Sequence, residues 1–130
     1  MKCRRALFSD YEELCRWWSA HGWEPVPFAF LPIGFLVEED GIFHSAGFLY
    51  IDKTAPIGML EWVVTNPNNS PRQSYKSLGF LLENITGFAV NNGICAVYSK
   101  LVSSGLEKLY NKHGFLSGDT AVKDMTWIRR

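Results

Sequence analysis

The second half of the chain alternates strand and helix patterns twice, and no other feature constrains the fold as strongly. Ile57 to Thr65 is a largely apolar run that ends at Asn66-Pro67-Asn68-Asn69. Ser70-Pro71 then opens a helix, with serine as N-cap and proline at the first helical position, where its missing N–H costs nothing. Leu78, Leu81, Leu82, Ile85 and Ala89 recur on one helical face. Asn92-Gly93 ends the helix, and Ile94 to Ser99 reads as a buried strand. Such a strand–helix–strand unit makes its two strands parallel, with a right-handed crossover. Ser104 and Glu107 suggest a capping box for a second helix. Leu106, Leu109, Tyr110 and His113 share a face there, Gly114 is the stop, and Ala121 to Ile128 is the last strand.

The first half has a different grammar. Residues 3 to 8 suit a short strand. Ser9 reads as a helix N-cap with Glu12 completing a capping box, and Tyr11, Leu14, Cys15 and Trp18 follow at the spacing of one buried face. The helix should stop near His21-Gly22. Residues 23 to 32 hold Pro25, Pro27 and Pro32 among aromatic side chains, so they form a stiff loop rather than a helix. Ile33 to Glu38, the turn Asp40-Gly41, Ile42 to Ile51 and Ile57 to Thr65 then form an antiparallel meander. Helices packed on a mixed, mostly antiparallel sheet around a central β-α-β unit make the chain α+β. Its 130 residues form one domain, 1–130, with no linker or repeat.

Thirteen basic side chains balance thirteen acidic ones, so no global field recruits nucleic acid, although Lys2, Arg4, Arg5, Arg129 and Arg130 leave a small basic patch. Cys3, Cys15 and Cys95 are odd in number and lack CxxC spacing, which suggests neither a disulfide framework nor a zinc site. Cys95 reads as a small buried hydrophobe. His21, His44 and His113 are scattered and suggest no metal site. A reducing cytoplasm is the simplest compartment. The N-terminus lacks the apolar run of a signal peptide, and no stretch is long enough to span a membrane.

The element order, together with Leu109-Tyr110-Asn111-Lys112-His113-Gly114-Phe115, resembles the GNAT acyltransferases. That resemblance implies transfer of an acyl group from acyl-CoA, most simply acetyl-CoA, to an amine. It also implies a Q/R-x-x-G-x-G/A turn at the start of the helix near residue 70, which holds the CoA pyrophosphate. Here the turn reads Ser70-Pro71-Arg72-Gln73-Ser74-Tyr75-Lys76-Ser77. Counting from Pro67 places Ser70 at the arginine, with Gln73 and Tyr75 at the glycines. Starting at Arg72 instead places Tyr75 and Ser77 there. Neither register has a glycine, whose absence widens the loop and removes amide contacts. Arg72 and Lys76 are placed to compensate by direct charge pairing. A Trp-rich first helix and Pro-rich loop of this kind resemble small members found in bacteriophage genomes.

The resemblance also places the catalytic groups. Glu61, on an apolar strand, is the expected general base, since partial desolvation raises a carboxyl pKa. Tyr110 is the expected acid toward the CoA thiolate. Val63, Val64 and Thr65 would offer backbone to the pantetheine arm, Asn111 would assist, and Arg72, Gln73, Ser74, Tyr75 and Lys76 would cradle the pyrophosphate. In the family the first helix and the following loop line the acceptor site, so Trp17, Trp23 and Phe28 are candidate acceptor contacts. The acceptor amine stays open: a protein lysine or N-terminus, a small amine or a modified nucleobase. The competing expectation is a binding module that has kept the fold, lost CoA, and uses its aromatic loop for protein contact. Exposed aromatics would also suit a homodimer.

Overall fold

In the computed structural model, which describes residues 1–101 and 103–129, the chain forms five strands and three helices. These are β1 (Lys2–Arg5), α1 (Tyr11–Ala20), β2 (Ile33–Glu39), β3 (Ile42–Ile51), β4 (Ile57–Thr65), α2 (Pro71–Asn91), β5 (Ala96–Ser99) and α3 (Glu107–Lys112). The strands stand in the order β1-β2-β3-β4-β5. Neighbours are antiparallel up to β4, and β5 runs parallel to β4. The fold is therefore α+β, a mostly antiparallel sheet flanked by helices, and the expected central β-α-β unit, β4-α2-β5, lies instead at one edge of the sheet because β5 is the last strand. At the β2–β3 turn, Asp40 (φ 54) and Gly41 (φ 79) are both left-handed, the backbone a tight two-residue hairpin requires.

Period-two alternation along β2 divides the core in two. Phe35 and Val37 join Leu49, Leu60, the apolar face of α2, and Leu109 and Tyr110 of α3. Leu36 points the other way, to Ala46, Phe48, Val64, Val26 and the α1 residues Leu14, Trp17 and Trp18. The two helical layers thus cover opposite faces of one sheet. Gly34 permits a close approach between β2 and β3, because an added Cβ would stand 2.6 Å from Phe48 Cε1 and 2.8 Å from Ala6 Cβ.

The entry to α1 departs from the sequence expectation. Phe8–Asp10 is a short 3-10 turn, and Ser9 lies inside it rather than capping the helix. Asp10 does the anchoring. Its carboxylate accepts the Leu7 N–H at 2.7 Å and both Arg4 guanidinium nitrogens at 2.9 and 3.0 Å. A charge-assisted bidentate pair outcompetes a serine hydroxyl, so β1 ends at Arg5 instead of running to Phe8. The hydrogen bonds from Arg4 hold the Asp10 carboxyl below the usual aspartate range, partly opposed by its burial. With the folded pKa below the unfolded one, the stabilisation is complete above the unfolded value of about 4 and is lost as pH falls through the folded value. The midpoint of urea unfolding should therefore fall on acidification below about pH 4, and Asp10→Asn should flatten that fall. An identical acid dependence in the variant would show the pair to be neutral for stability.

Three other expectations change. Trp17 replaces Tyr11 and Cys15 on the fully buried face of α1, and those two are only half-buried. The expected buried strand Ile94 to Ser99 contracts to β5, an edge strand with alternating exposure, and Cys95 is exposed. Ala121 to Ile128 forms no strand: Val122, Met125, Trp127 and Ile128 are all exposed. A strand needs a partner ladder, and the β5 edge nearest to it offers only four residues. The expected Ser104 cap concerns a side chain outside the described set, as is Arg130 of the terminal basic patch, and α3 begins after Leu106.

Candidate active site

A break in β4 shapes the site. Along β3 the register runs Ala46↔Val64 and then Phe48↔Glu61, so Trp62 and Val63 together oppose Gly47. This is a β-bulge, and Trp62 carries φ 59, a conformation that costs a bulky residue and persists where its surroundings enforce it. The bulge keeps Trp62 on the same face as Glu61. Its indole Nε1 donates to the Tyr50 hydroxyl at 2.9 Å, and that hydroxyl donates to the Phe30 carbonyl at 2.6 Å. Beyond the bulge the alternation resumes, with Val63 toward the α2 core and Val64 toward the α1 core. On its other edge β4 pairs with β5 only from Ile57↔Ala96 to Leu60↔Ser99. Residues 61 to 65 therefore have no strand beside them on that edge among the described residues, and the sheet splays open there.

Glu61 stands at the start of the splay. Its side chain is 22% exposed and lies 3.7 Å from the Lys100 ammonium, so its environment is an ion pair rather than the apolar strand surface its neighbours suggested. Lys100 also meets Asp124 at 2.9 Å, and Asp124 followed by Glu61 raises the lysine pKa above its ordinary value. Ser99 Oγ donates to the Leu60 carbonyl at 3.2 Å, closing the last rung before the opening. The Tyr110 phenol is buried beneath it. Its pKa is raised, chiefly by burial, with the Ser99 hydroxyl lowering it and the Glu61 carboxylate raising it further. The Glu61 carboxylate, almost fifty positions away in sequence, is thus near enough to raise the Tyr110 pKa at one end of the splay. Asn111, next on α3, is exposed and accepts from Ser117 Oγ at 3.3 Å.

The other end of the splay leads into the first turn of α2. Asn66 and Asn69 pin this turn to β3: Asn66 Nδ2 donates to the Phe43 carbonyl, Asn69 Nδ2 to the His44 carbonyl, and Asn69 Oδ1 meets His44 Nδ1 at 2.7 Å. Ser70 and Gln73 form a reciprocal capping box, with Gln73 N–H donating to Ser70 Oγ and Ser70 N–H to Gln73 Oε1. Pro71 has no N–H, so of the three backbone N–H groups from Ser70 to Gln73 only that of Arg72 lacks a partner among the described residues. Lys76 pairs with Glu39 at 3.6 Å. Ser74 Oγ receives Asn69 Nδ2, and Tyr75 is half-exposed.

The aromatic candidates separate. Trp17, 3% exposed, is core and out of reach of a surface ligand. Trp23 and Phe28 are exposed, Phe28 standing edge-on to Phe8 and Tyr11, and Trp23 stacked on His21. His21 Nε2 reaches the Thr65 carbonyl at 2.9 Å, tying the end of α1 to the end of β4. Sequence reasoning missed Trp62, Tyr50, Ser99 and Lys100. Only Lys100 carried a local signal, as the first charged residue after a strand. The described residues contain no group of three His, Cys, Asp or Glu side chains able to hold a metal, and none of their helices is long and apolar enough to cross a membrane. A surface depression of about 570 Å³ lies on α1 between Glu12 and Ala20. It is wide-mouthed and away from the splay, and the carboxylate, phenol and lysine locate the chemistry better than volume does.

No protein-family model matches the chain, and no curated protein matches it in sequence. Solved structures do. The TTHA1254 protein of Thermus thermophilus superposes with TM-score 0.72 at 21% identity, over 100% of both chains. A Novosphingobium aromaticivorans protein described as a GNAT-family acetyltransferase matches at TM-score 0.68 and 15% identity, over 89% of this chain and 52% of its own. The aminoglycoside 6'-N-acetyltransferase of Acinetobacter haemolyticus matches at TM-score 0.63 and 12% identity, over 99% and 100%. At these identities the likeness establishes the fold.

Proposed function

We propose that this chain, which has the fold of the GNAT acetyltransferases, moves an acyl group from acyl-CoA to an amine by direct attack in a ternary complex. One observation carries the reading. The unpaired half of β4 opens a slot at whose head a carboxylate stands within electrostatic reach of a buried phenol. The backbone of Val63 and Val64 offers its free edge to an extended pantetheine arm, and the Thr65 carbonyl is already held by His21. Glu61 takes the proton that leaves the attacking amine. Tyr110, whose raised pKa keeps it protonated at neutral pH, supplies the proton for the departing thiolate. Arg72, through its guanidinium and its unpartnered amide, meets the pyrophosphate at the positive end of α2, with Gln73, Ser74, Tyr75 and Lys76 around it. Trp23, Phe28 and Trp62 flank the acceptor side.

Calorimetric titration of acetyl-CoA into the protein, beside a Tyr75→Asp variant, tests this. Saturable binding that the added carboxylate abolishes is expected, because the new charge faces a phosphate in the first turn of α2. No binding by a folded wild-type protein would end the enzyme reading.

A second reading has its own support. The capping box occupies two of the amides a phosphate would use, and Pro71 removes a third. A chain that kept the fold and lost CoA would look this way, and its exposed aromatic loop would serve protein contact. The same titration separates the two.

A further inference from the structure

Lys100 is an amine placed where an acceptor amine belongs. Its ammonium lies 3.7 Å from Glu61 and 2.9 Å from Asp124, immediately after the last β4–β5 rung at Leu60↔Ser99. Its side chain is more than half exposed, so nothing bars it from a ligand in the slot. Other lysines lack this arrangement. Lys76 pairs with Glu39 rather than with Glu61, and Lys53 lies in the β3–β4 turn.

We propose that Lys100 is a self-acceptor, its side-chain nitrogen receiving the acyl group from acyl-CoA bound in the splay. The proposal rests on the acyltransfer reading above. Glu61 removes a proton from the ammonium. The free amine attacks the thioester carbonyl carbon, the C–N bond forms and the C–S bond breaks. Of the two protons the nitrogen gives up, one is balanced by that delivered from Tyr110 to the CoA sulfur, and one reaches solvent. The products are an Nε-acyl-lysine, free CoA and one proton. The modification abolishes the lysine charge, and with it both ion pairs. Glu61 is then free for an external amine, and the segment around Asp124 loses its tie to the end of β5.

The full chain is incubated with acetyl-CoA alone, and each lysine is followed by peptide mass spectrometry. Lys100 should gain one acetyl group well ahead of Lys53 and Lys76, which report uncatalysed acetylation. The labelled fraction at a given time should not change on protein dilution, as expected within one molecule. Glu61→Gln should drop Lys100 to the rate of Lys53 while leaving Lys53 unchanged. Equal labelling of Lys100, Lys53 and Lys76 in a protein that binds acetyl-CoA by calorimetry would overturn self-acylation and leave the acyltransfer reading standing. Absence of acetyl-CoA binding would overturn both.

Discussion

Glu61→Gln lowers kcat with the best amine of an acceptor screen by roughly 10²–10⁴-fold, the usual contribution of a positioned general base. Affinity for acetyl-CoA, read by calorimetry, should stay close to wild type, because the turn proposed for the pyrophosphate lies at the opposite end of the splay. The substitution keeps the size and planarity of the side chain. It also leaves Lys100 its shorter contact with Asp124 at 2.9 Å, so the fold around the splay persists, and an unchanged melting temperature is the control. A loss in kcat without a matching loss of donor binding marks an interaction used in the transition state. An unchanged kcat would place the base elsewhere or leave the proton to water.

The second large effect is on stability. Trp18 is 1% exposed and packs among Leu14, Val26, Leu36, Ala46, Phe48 and Val64, its ring centroid 6.1 Å from that of Phe48. Trp18→Ala removes one of the two tryptophans from the layer between α1 and the sheet and should cost about 3–5 kcal/mol. A domain of this size has about 5–15 kcal/mol in all, so the urea midpoint should fall by a large fraction. Trp18→Phe should cost much less. The Trp18 Nε1–H is buried without a hydrogen-bond partner among the described residues, and removing an orphaned donor returns part of the lost packing. A loss below about 1 kcal/mol for the alanine variant would show that this face collapses around the gap rather than keeping a cavity.

The two variants probe the two sides of the bulge in β4. Val64, in the Trp18 layer, and Glu61, at the splay, are separated on β4 only by the bulge at Trp62 and Val63. The packing of α1 thereby holds the half of β4 that has no neighbour on its β5 side. A Trp18→Ala protein that still folds should loosen that half-strand before the β2–β3 hairpin, which hydrogen-exchange protection of Val63 and Thr65 amides would reveal.

How much of this was legible in the sequence depended on whether the signal was local. Asp40-Gly41, Ser70-Pro71, Asn92-Gly93 and Gly114 mark ends that the structure reproduces, because caps and tight turns are decided within a few residues. The bounds of β3 and β4 and the apolar face of α2 follow from periodicity alone. Ser9 misled because its competitor, Arg4, reaches Asp10 from the preceding strand. Trp17 misled as an acceptor contact although core packing is the stronger reading for any one of these aromatics, and its packing in the α1 layer makes it core. Ala121 to Ile128 carries strand residues, yet a strand is a relation between two segments.

The same division runs through the site. The chain by itself determined the α+β order, the two residue types suited to proton transfer, and a first turn of α2 without glycine, since each is written in adjacent positions. Only the tertiary structure decided that Glu61 comes within electrostatic reach of Tyr110, that β4 breaks at Trp62 and parts from β5 after Leu60, that the capping box takes up the Ser70 and Gln73 amides, and that Lys100 pairs with Glu61. Those outcomes depend on strand register and on charges brought together from distant positions, and neither leaves a mark in local sequence.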